Sequence, residues 1–109
     1  MRIGIVGGVE RTEQVYRRVA EEAGHELAFH GGHVAGRGAD KLVELVRTVD
    51  VVVVLTDINS HGAVGVARKA AARSGTPVLL HRRLGPSRFA AELPQLEAVA
   101  AAAPGRRVA

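Results

Sequence analysis

One run of five apolar residues, Val51 to Leu55, constrains the fold of this chain more than any other feature. A short, unbroken β-branched run is typical of a strand that is buried on both faces, as in a parallel sheet. Polar residues follow at once in the segment TDINSH, from Thr56 to His61. Because open α/β sheets bind their ligands at the carboxyl ends of their strands, this switch in polarity predicts one wall of a binding site.

Strand and helix patterns alternate along the rest of the chain. Short apolar runs predict three further strands, at residues 2–6, 25–30 and 77–80, and helical spacing of apolar residues follows each of the four strands. We expect Thr12, Ser60 and Ser87 to cap the first, third and fourth helices. Pro94 is predicted to break or restart the last helix.

This alternation predicts an α/β fold, a small Rossmann-like three-layer sandwich with a four-stranded parallel sheet in the order 2-1-3-4. Residues 1–102 would form a single domain and residues 103–109 a flexible tail. The switch point then lies between strands one and three, where Gly7, Gly8, Thr56 and Asp57 flank a crevice. A homodimer is expected through an open sheet edge or through the last helix.

Composition excludes several classes of protein. The chain has no cysteine, which excludes disulfides and thiolate metal sites. The formal net charge of +4 favours anionic partners, but three aromatic residues offer little for stacking bases, so a nucleic-acid-associated interaction module is possible and not favoured. No apolar run is long enough for a signal peptide or a membrane span, and we expect a cytoplasmic protein with no membrane partner.

Four of the five histidines follow the carboxyl ends of predicted strands: His30, His33, His61 and His81. Neutral imidazole is the commonest protein ligand of transition metals and also binds haem iron. The pattern predicts a small ligand-binding protein that holds haem or a transition metal at this rim, with possible oxygen or redox chemistry. The metal ligands would be His30, His33 and His61, with His81 as a further candidate, and Asp57 could hold the ring of His61 in one tautomer.

The same rim predicts an alternative, a regulatory domain that binds a nucleotide or another phosphorylated small molecule. Helix starts present free amides, Gly7 and Gly8 allow close approach of the backbone, and Ser60 is polar. Positive charge would come from Arg11, Arg37, Arg82 and Arg83. The segment GGVERT is not a GxGxxG fingerprint and no Walker lysine is present. No complete set of nucleophile, base and oxyanion donors can be assigned, so enzymatic activity is left open.

Several segments resemble a bacterial domain-of-unknown-function family, DUF2325. These are GIVGG, FHGG, VVVLTDINSH and SGTPV, which together cover roughly Arg2 to His81, and TD-x-x-SH is the most specific. Many members carry a cysteine just after the TD pair, where this chain has Ile58 and Asn59, which puts a thiol-based role in doubt. The resemblance implies that the site includes Gly7, Gly8, His30, Gly31, Thr56, Asp57, Ser60 and His61. Arg11 and His81 complete the candidate cofactor-binding residues.

Overall fold

The computed structural model of this chain describes residues 1–57, 59 and 61–103. Its strands are β1 (Arg2–Val6), β2 (Glu26–His30), β3 (Val51–Leu55) and β4 (Val78–His81). Its α-helices are α1 (Glu13–Glu22), α2 (Gly38–Thr48), α3 (His61–Ser74) and α4 (Pro86–Ala102), and a short 3-10 turn (Glu10–Thr12) leads into α1. The alternation of strands and helices is therefore confirmed.

The four strands are parallel and lie in the order β2-β1-β3-β4, as predicted. β1 lies between β2 and β3, so that Ile5 is paired with Phe29 on one side and with Val53 on the other. Because β1 and β3 are neighbours, the chain reverses its winding direction between them. The carboxyl ends of these two strands form the switch point.

Helices cover both faces of the sheet and produce a core in two parts. Val51, Val53 and Leu55 face the side covered by α1 and α4, together with Phe89. Val52 and Val54 face the side covered by α2 and α3, as does Leu42. All five residues of β3 are buried for this reason, and the run shows no alternation of polar and apolar residues.

Glycines end two of the helices. Gly24 follows α1 with a φ of 84°, and its N–H donates to the carbonyl of Glu21 over 3.0 Å. Gly75 follows α3 with a φ of 72°. A residue in the left-handed conformation at this position turns the chain away from the helix axis. Its backbone N–H can then donate to a carbonyl of the last helical turn.

Two expectations about α4 are wrong. The helix runs through Pro94 without a break, from Pro86 to Ala102. Pro94 and Ala90 both lie on the exposed side, so the carbonyl left without a helical donor faces water, while Phe89 and Leu93 hold the other side against the sheet. Ser87 does not cap the helix. Gly85 occupies the N-cap position, and a proline at the first helical position suits the fixed φ of that residue.

The start of α1 also differs from expectation. Thr12 is at the N-cap position, but its hydroxyl donates to the carbonyl of Val9 over 2.6 Å and makes no capping bond. Tyr16 and Ala20 form the buried side of α1, whereas Val15 is exposed. The aromatic ring is buried in preference to a valine because it offers more apolar area.

Other expectations fall outside the part of the chain that the structure describes. They are the capping role of Ser60 and the flexible tail, since α4 ends at Ala102 and the description ends with Ala103. Within the residues that are described, no helix combines the length and the apolar character needed to cross a membrane.

Candidate functional site

Two glycines end β1 at the switch point. Gly7 and Gly8 have φ values of 103° and 91°, which residues with a side chain rarely adopt. The N–H of Gly7 donates to the carbonyl of His30 over 2.7 Å and so fastens the end of β1 to β2. Gly8 is only half-buried and lines a small apolar cavity. Of the two glycines, Gly8 is the one placed to approach a ligand.

Asn59 joins the ends of the two central strands. Its side-chain Nδ2 donates to the carbonyl of Leu55 over 2.9 Å and to that of Val6 over 3.3 Å. The Oδ1 atom of the same amide lies where a Cβ on Gly32 would be, so the loop after β2 packs directly on Asn59. Sequence reasoning missed this role. One feature of the sequence could have indicated it. The last carbonyls of neighbouring strands need hydrogen-bond donors, and the side-chain amide of Asn59 lies in the polar segment after β3.

His30 is 6% exposed, and both of its ring nitrogens have backbone partners. Nδ1 accepts the N–H of Gly32 over 3.0 Å, and Nε2 lies 2.9 Å from the carbonyl of Gly38, to which it can only donate. This arrangement defines a neutral ring, and burial lowers the pKa of His30 below its usual value. The exposed ring of His33 stacks on it with the ring centres 4.9 Å apart.

A second group of side chains lies beyond β3 and β4. We call it the arginine crevice, a cavity of about 420 Å³ lined by Asp57, His81, Arg82, Arg83 and Arg88. The carboxylate of Asp57 lies 2.9 Å from Nε of Arg83 and 3.4 Å from Nε of Arg82. The Arg83 guanidinium, with help from Arg82, holds the pKa of the Asp57 carboxyl below its usual value. Asp57 is therefore ionised near neutral pH and orients two exposed cations.

Backbone pairing brings these side chains together. Beyond the end of β3, the N–H of Thr56 donates to the carbonyl of His81 over 2.8 Å. The N–H of Asp57 donates to the carbonyl of Arg82 over 3.0 Å. The β3–β4 pairing thus continues past the last residues of both strands, which sets Asp57 beside the arginines.

An apolar slot of about 230 Å³ adjoins the arginine crevice and shares Arg82 and Arg83 with it. Tyr16 lies along this slot, its hydroxyl donates to the carbonyl of Leu84, and its ring meets Phe89 edge to face. Burial raises the pKa of Tyr16, so the phenol stays protonated. The remaining lining residues are Gly8, Val9, Thr12, Leu55, Leu84 and Gly85.

The family described as "Uncharacterized protein conserved in bacteria (DUF2325)" matches residues 2–96, which include the whole of this site. The chain belongs to this family. Two UPF0751 proteins of Desulfitobacterium hafniense, from strains DSM 10664 / DCB-2 and Y51, are each 31% identical to the chain over 86 residues. These matches cover 78% of this chain and 84% of each relative. No solved structure is significantly similar to the chain.

In this DUF2325 protein the predicted rim residues divide into two groups. His30, Gly31 and His33 lie at or just after the end of β2, and Thr56, Asp57 and His81 lie at or just after the ends of β3 and β4. Since β2 and β4 are the opposite edges of a four-stranded sheet, three strand spacings of about 4.8 Å separate them by roughly 14 Å. The fold therefore does not bring His30 and His81 to one ion.

The other predicted ligands have different surroundings. His81 lies 3.6 Å from a carboxylate oxygen of Glu92. Arg11 is exposed on the 3-10 turn and lines neither of the two cavities. Ser60 and the side chain of His61 lie outside the described residues. Among the side chains that are described, no three histidines or carboxylates are grouped to hold a metal ion.

Sequence reasoning also missed Arg88 and Tyr16. Arg88 lies in the first turn of α4, five residues after Arg83, where a helix start next to two arginines could have indicated it. Tyr16 had no such signal, because its role depends on the path that the β4–α4 loop takes to place Leu84.

Proposed function

We propose that this DUF2325 protein binds a phosphorylated small molecule, of the size of a nucleotide, in the arginine crevice and the adjoining apolar slot. The observation that carries the proposal is the lining of the crevice, where three arginines stand against one carboxylate. Charge-assisted bonds from guanidinium groups suit phosphate oxygens, because the planar donors match their geometry. The crevice lies at the carboxyl ends of the strands, where ligands bind in open α/β sheets.

The apolar slot suits the other half of such a ligand. It adjoins the cations, contains a tyrosine ring, and is bounded by Gly8 and Leu84. A molecule with a flat, weakly polar part and an anionic part would place the first in the slot and the second among Arg82, Arg83 and Arg88. Small-molecule sites usually combine an apolar wall with a few convergent polar groups in this way.

The proposal is tested by titration calorimetry with inorganic phosphate, ADP and adenosine. We expect saturable binding of ADP, weaker binding of phosphate, and none of adenosine alone. The variant Arg83→Ala/Arg88→Ala should weaken ADP binding by at least about tenfold, since each lost charge-assisted bond contributes on the order of 1.5–3 kcal/mol. The matched control is Arg68→Ala/Arg73→Ala, which removes the same charge from exposed positions of α3.

Two outcomes would contradict the proposal. One is the absence of binding by any phosphorylated compound in the series. The other is equal weakening by the crevice variant and by the α3 control, which would show that only the net charge of the protein matters.

Haem or metal binding through the rim histidines stays a prediction, and haemin titration separates it from the first proposal. A Soret band that is lost in His33→Ala/His81→Ala but kept in the crevice variant would favour haem. His30 is excluded from this variant because its ring nitrogens bond to Gly32 and Gly38, and replacing it would alter the loop itself.

A further inference from the structure

The sheet has two edges, and the β2 edge carries the features that prevent a further strand from adding to it. The N–H of Glu26 donates to Met1 and the carbonyl of His30 accepts from Gly7, so the peptide groups of Leu27 and Phe29 point outward. Arg17 donates to the carbonyl of Leu27 over 2.8 Å and so occupies one of these outward groups. The same edge is surrounded by charged side chains, namely Arg2, Arg17, Lys41 and Glu44. Charged side chains at a sheet edge hinder the pairing of a further strand with that edge.

The β4 edge has the opposite character. The carbonyl of Pro77 accepts from Val52 and that of His81 accepts from Thr56, so the peptide groups of Val78 and Leu80 point outward. No residue in the described part of the chain bonds to these outward groups. The side chain of Leu80 is 48% exposed. An edge with open peptide groups and an exposed leucine is a template for pairing with another strand.

The surroundings of the start of β4 are apolar as well. A hollow between the ends of α3 and α4 opens beside the start of the strand, and its lining, which includes Ala72, Pro77, Val99 and Ala102, contains no ionisable side chain. The chain as a whole has a formal net charge of +4, so two copies repel each other on average. An antiparallel arrangement of two copies places the uncharged hollow of each beside the arginine end of β4 of the other, so the arginines of the two copies lie at opposite ends of the contact and repel each other less.

We infer that β4 pairs in antiparallel fashion with β4 of a second copy, and that the two sheets join into one of eight strands. With a two-fold axis at Leu79, Val78 of one copy lies opposite Leu80 of the other. Directly opposite residues whose peptide groups face each other exchange both N–H···O bonds. The two symmetry-related pairs therefore form four hydrogen bonds, and all the outward groups of Val78 and Leu80 are satisfied.

The area that this contact requires is a small part of the molecular surface. A specific dimer needs at least about 600 Å² from each copy. This corresponds to roughly a tenth of the molecular surface of 6282 Å².

Sedimentation velocity of the full chain from about 1 to 100 µM tests the inference. We expect the wild type to sediment as a dimer and Leu80→Lys to raise the dissociation constant by at least about tenfold, because the lysine places a charge at the centre of the contact. The control is Val43→Lys on α2, a position 43% exposed, and we expect it to dimerise as the wild type does. A wild type that is monomeric throughout, or a dimer unaffected by Leu80→Lys, overturns the inference.

Two further measurements separate edge pairing from a loss of folding. The N–H of Leu80 points away from β3, so Leu80→Pro removes no bond within one copy and is expected to fold, with its circular dichroism spectrum unchanged, as a monomer. Hydrogen exchange reports the contact directly. We expect the amides of Val78 and Leu80 to be protected in the wild type and to exchange rapidly in Leu80→Lys. Rapid exchange of both amides in a wild-type dimer overturns the inference, since that dimer would use another surface.

Discussion

At the scale of single residues, His30 couples the stability of the loop after β2 to pH. Its ring is buried and neutral, with a pKa below the usual value of 6.5. The unfolded chain therefore binds a proton more readily than the folded one. The contribution of neutral His30 to the free energy of unfolding is fully present above about pH 6.5, and it is lost progressively as the pH falls below that value.

We expect the free energy of unfolding to fall between pH 7.5 and 5.5 with a His30 contribution of at most about 1.4 kcal/mol per pH unit. His30→Gln should reduce this slope, because the amide does not titrate and can still accept from Gly32 and donate to Gly38. Urea unfolding of both proteins at several pH values measures the difference. Equal slopes for the two proteins would show that other groups account for the pH dependence.

The position of His30 could be predicted from the sequence, but its role could not. Its place after a short apolar run puts it at the carboxyl end of a strand in any parallel sheet. Its bonds to Gly32 and Gly38 depend on the path of the intervening loop, which the glycine-rich sequence does not specify. Asn59 was missed for the same reason, since its amide bonds to strands that only the fold brings together.

At the scale of elements, α4 contains an interior proline without breaking. Pro94 has no N–H to donate to the carbonyl of Ala90, and both residues face solvent. Water can therefore replace the missing donor, and the apolar side formed by Phe89, Leu93 and Leu96 keeps the helix on the sheet.

Pro94→Ala should raise the free energy of unfolding by about 1–3 kcal/mol, because alanine restores a helical hydrogen bond and has the higher helix propensity. Thermal unfolding gives the measurement. Gln95→Ala, at an exposed neighbouring position, is the control and should change stability by less than about 0.5 kcal/mol. A destabilised Pro94→Ala protein would indicate that a bend at the proline fits α4 to the sheet.

The elements themselves were largely predictable. The apolar run of β3 predicted a strand buried on both faces, and the bounds of β3 agree with expectation. Helix starts were not predictable to the same extent. Thr12 and Ser87 are good capping residues by type, but a 3-10 turn precedes α1, and Gly85 caps α4 two residues before Ser87. Backbone geometry before a helix decides which residue caps it, and residue type gives only a preference.

At the scale of the whole molecule, the sheet separates the core into two parts that should contribute to stability independently. Ile5 packs with the α1–α4 side and Leu42 with the α2–α3 side, and both are fully buried. Ile5→Val should cost about 0.5–1.5 kcal/mol and Leu42→Ala about 2–5 kcal/mol.

The double variant should lose the sum of the two single losses to within about 0.5 kcal/mol, because the altered side chains have no shared neighbours across the sheet. Urea unfolding curves of the two single variants and the double variant provide the comparison. A difference from the sum of more than about 1 kcal/mol would mean that packing changes on one face are transmitted through the strands to the other.

The strand order also has a consequence for the order of events on the ribosome. β1 leaves first and can pair with β2 as soon as residues 26–30 emerge, but its other neighbour is β3, at residues 51–55. At about 5–20 residues per second, β1 has one open edge for about 1–5 seconds while α2 and β3 are made. The centre of the sheet is therefore completed only after residues 51–55 have emerged, and the open edge of β1 must avoid other chains until then.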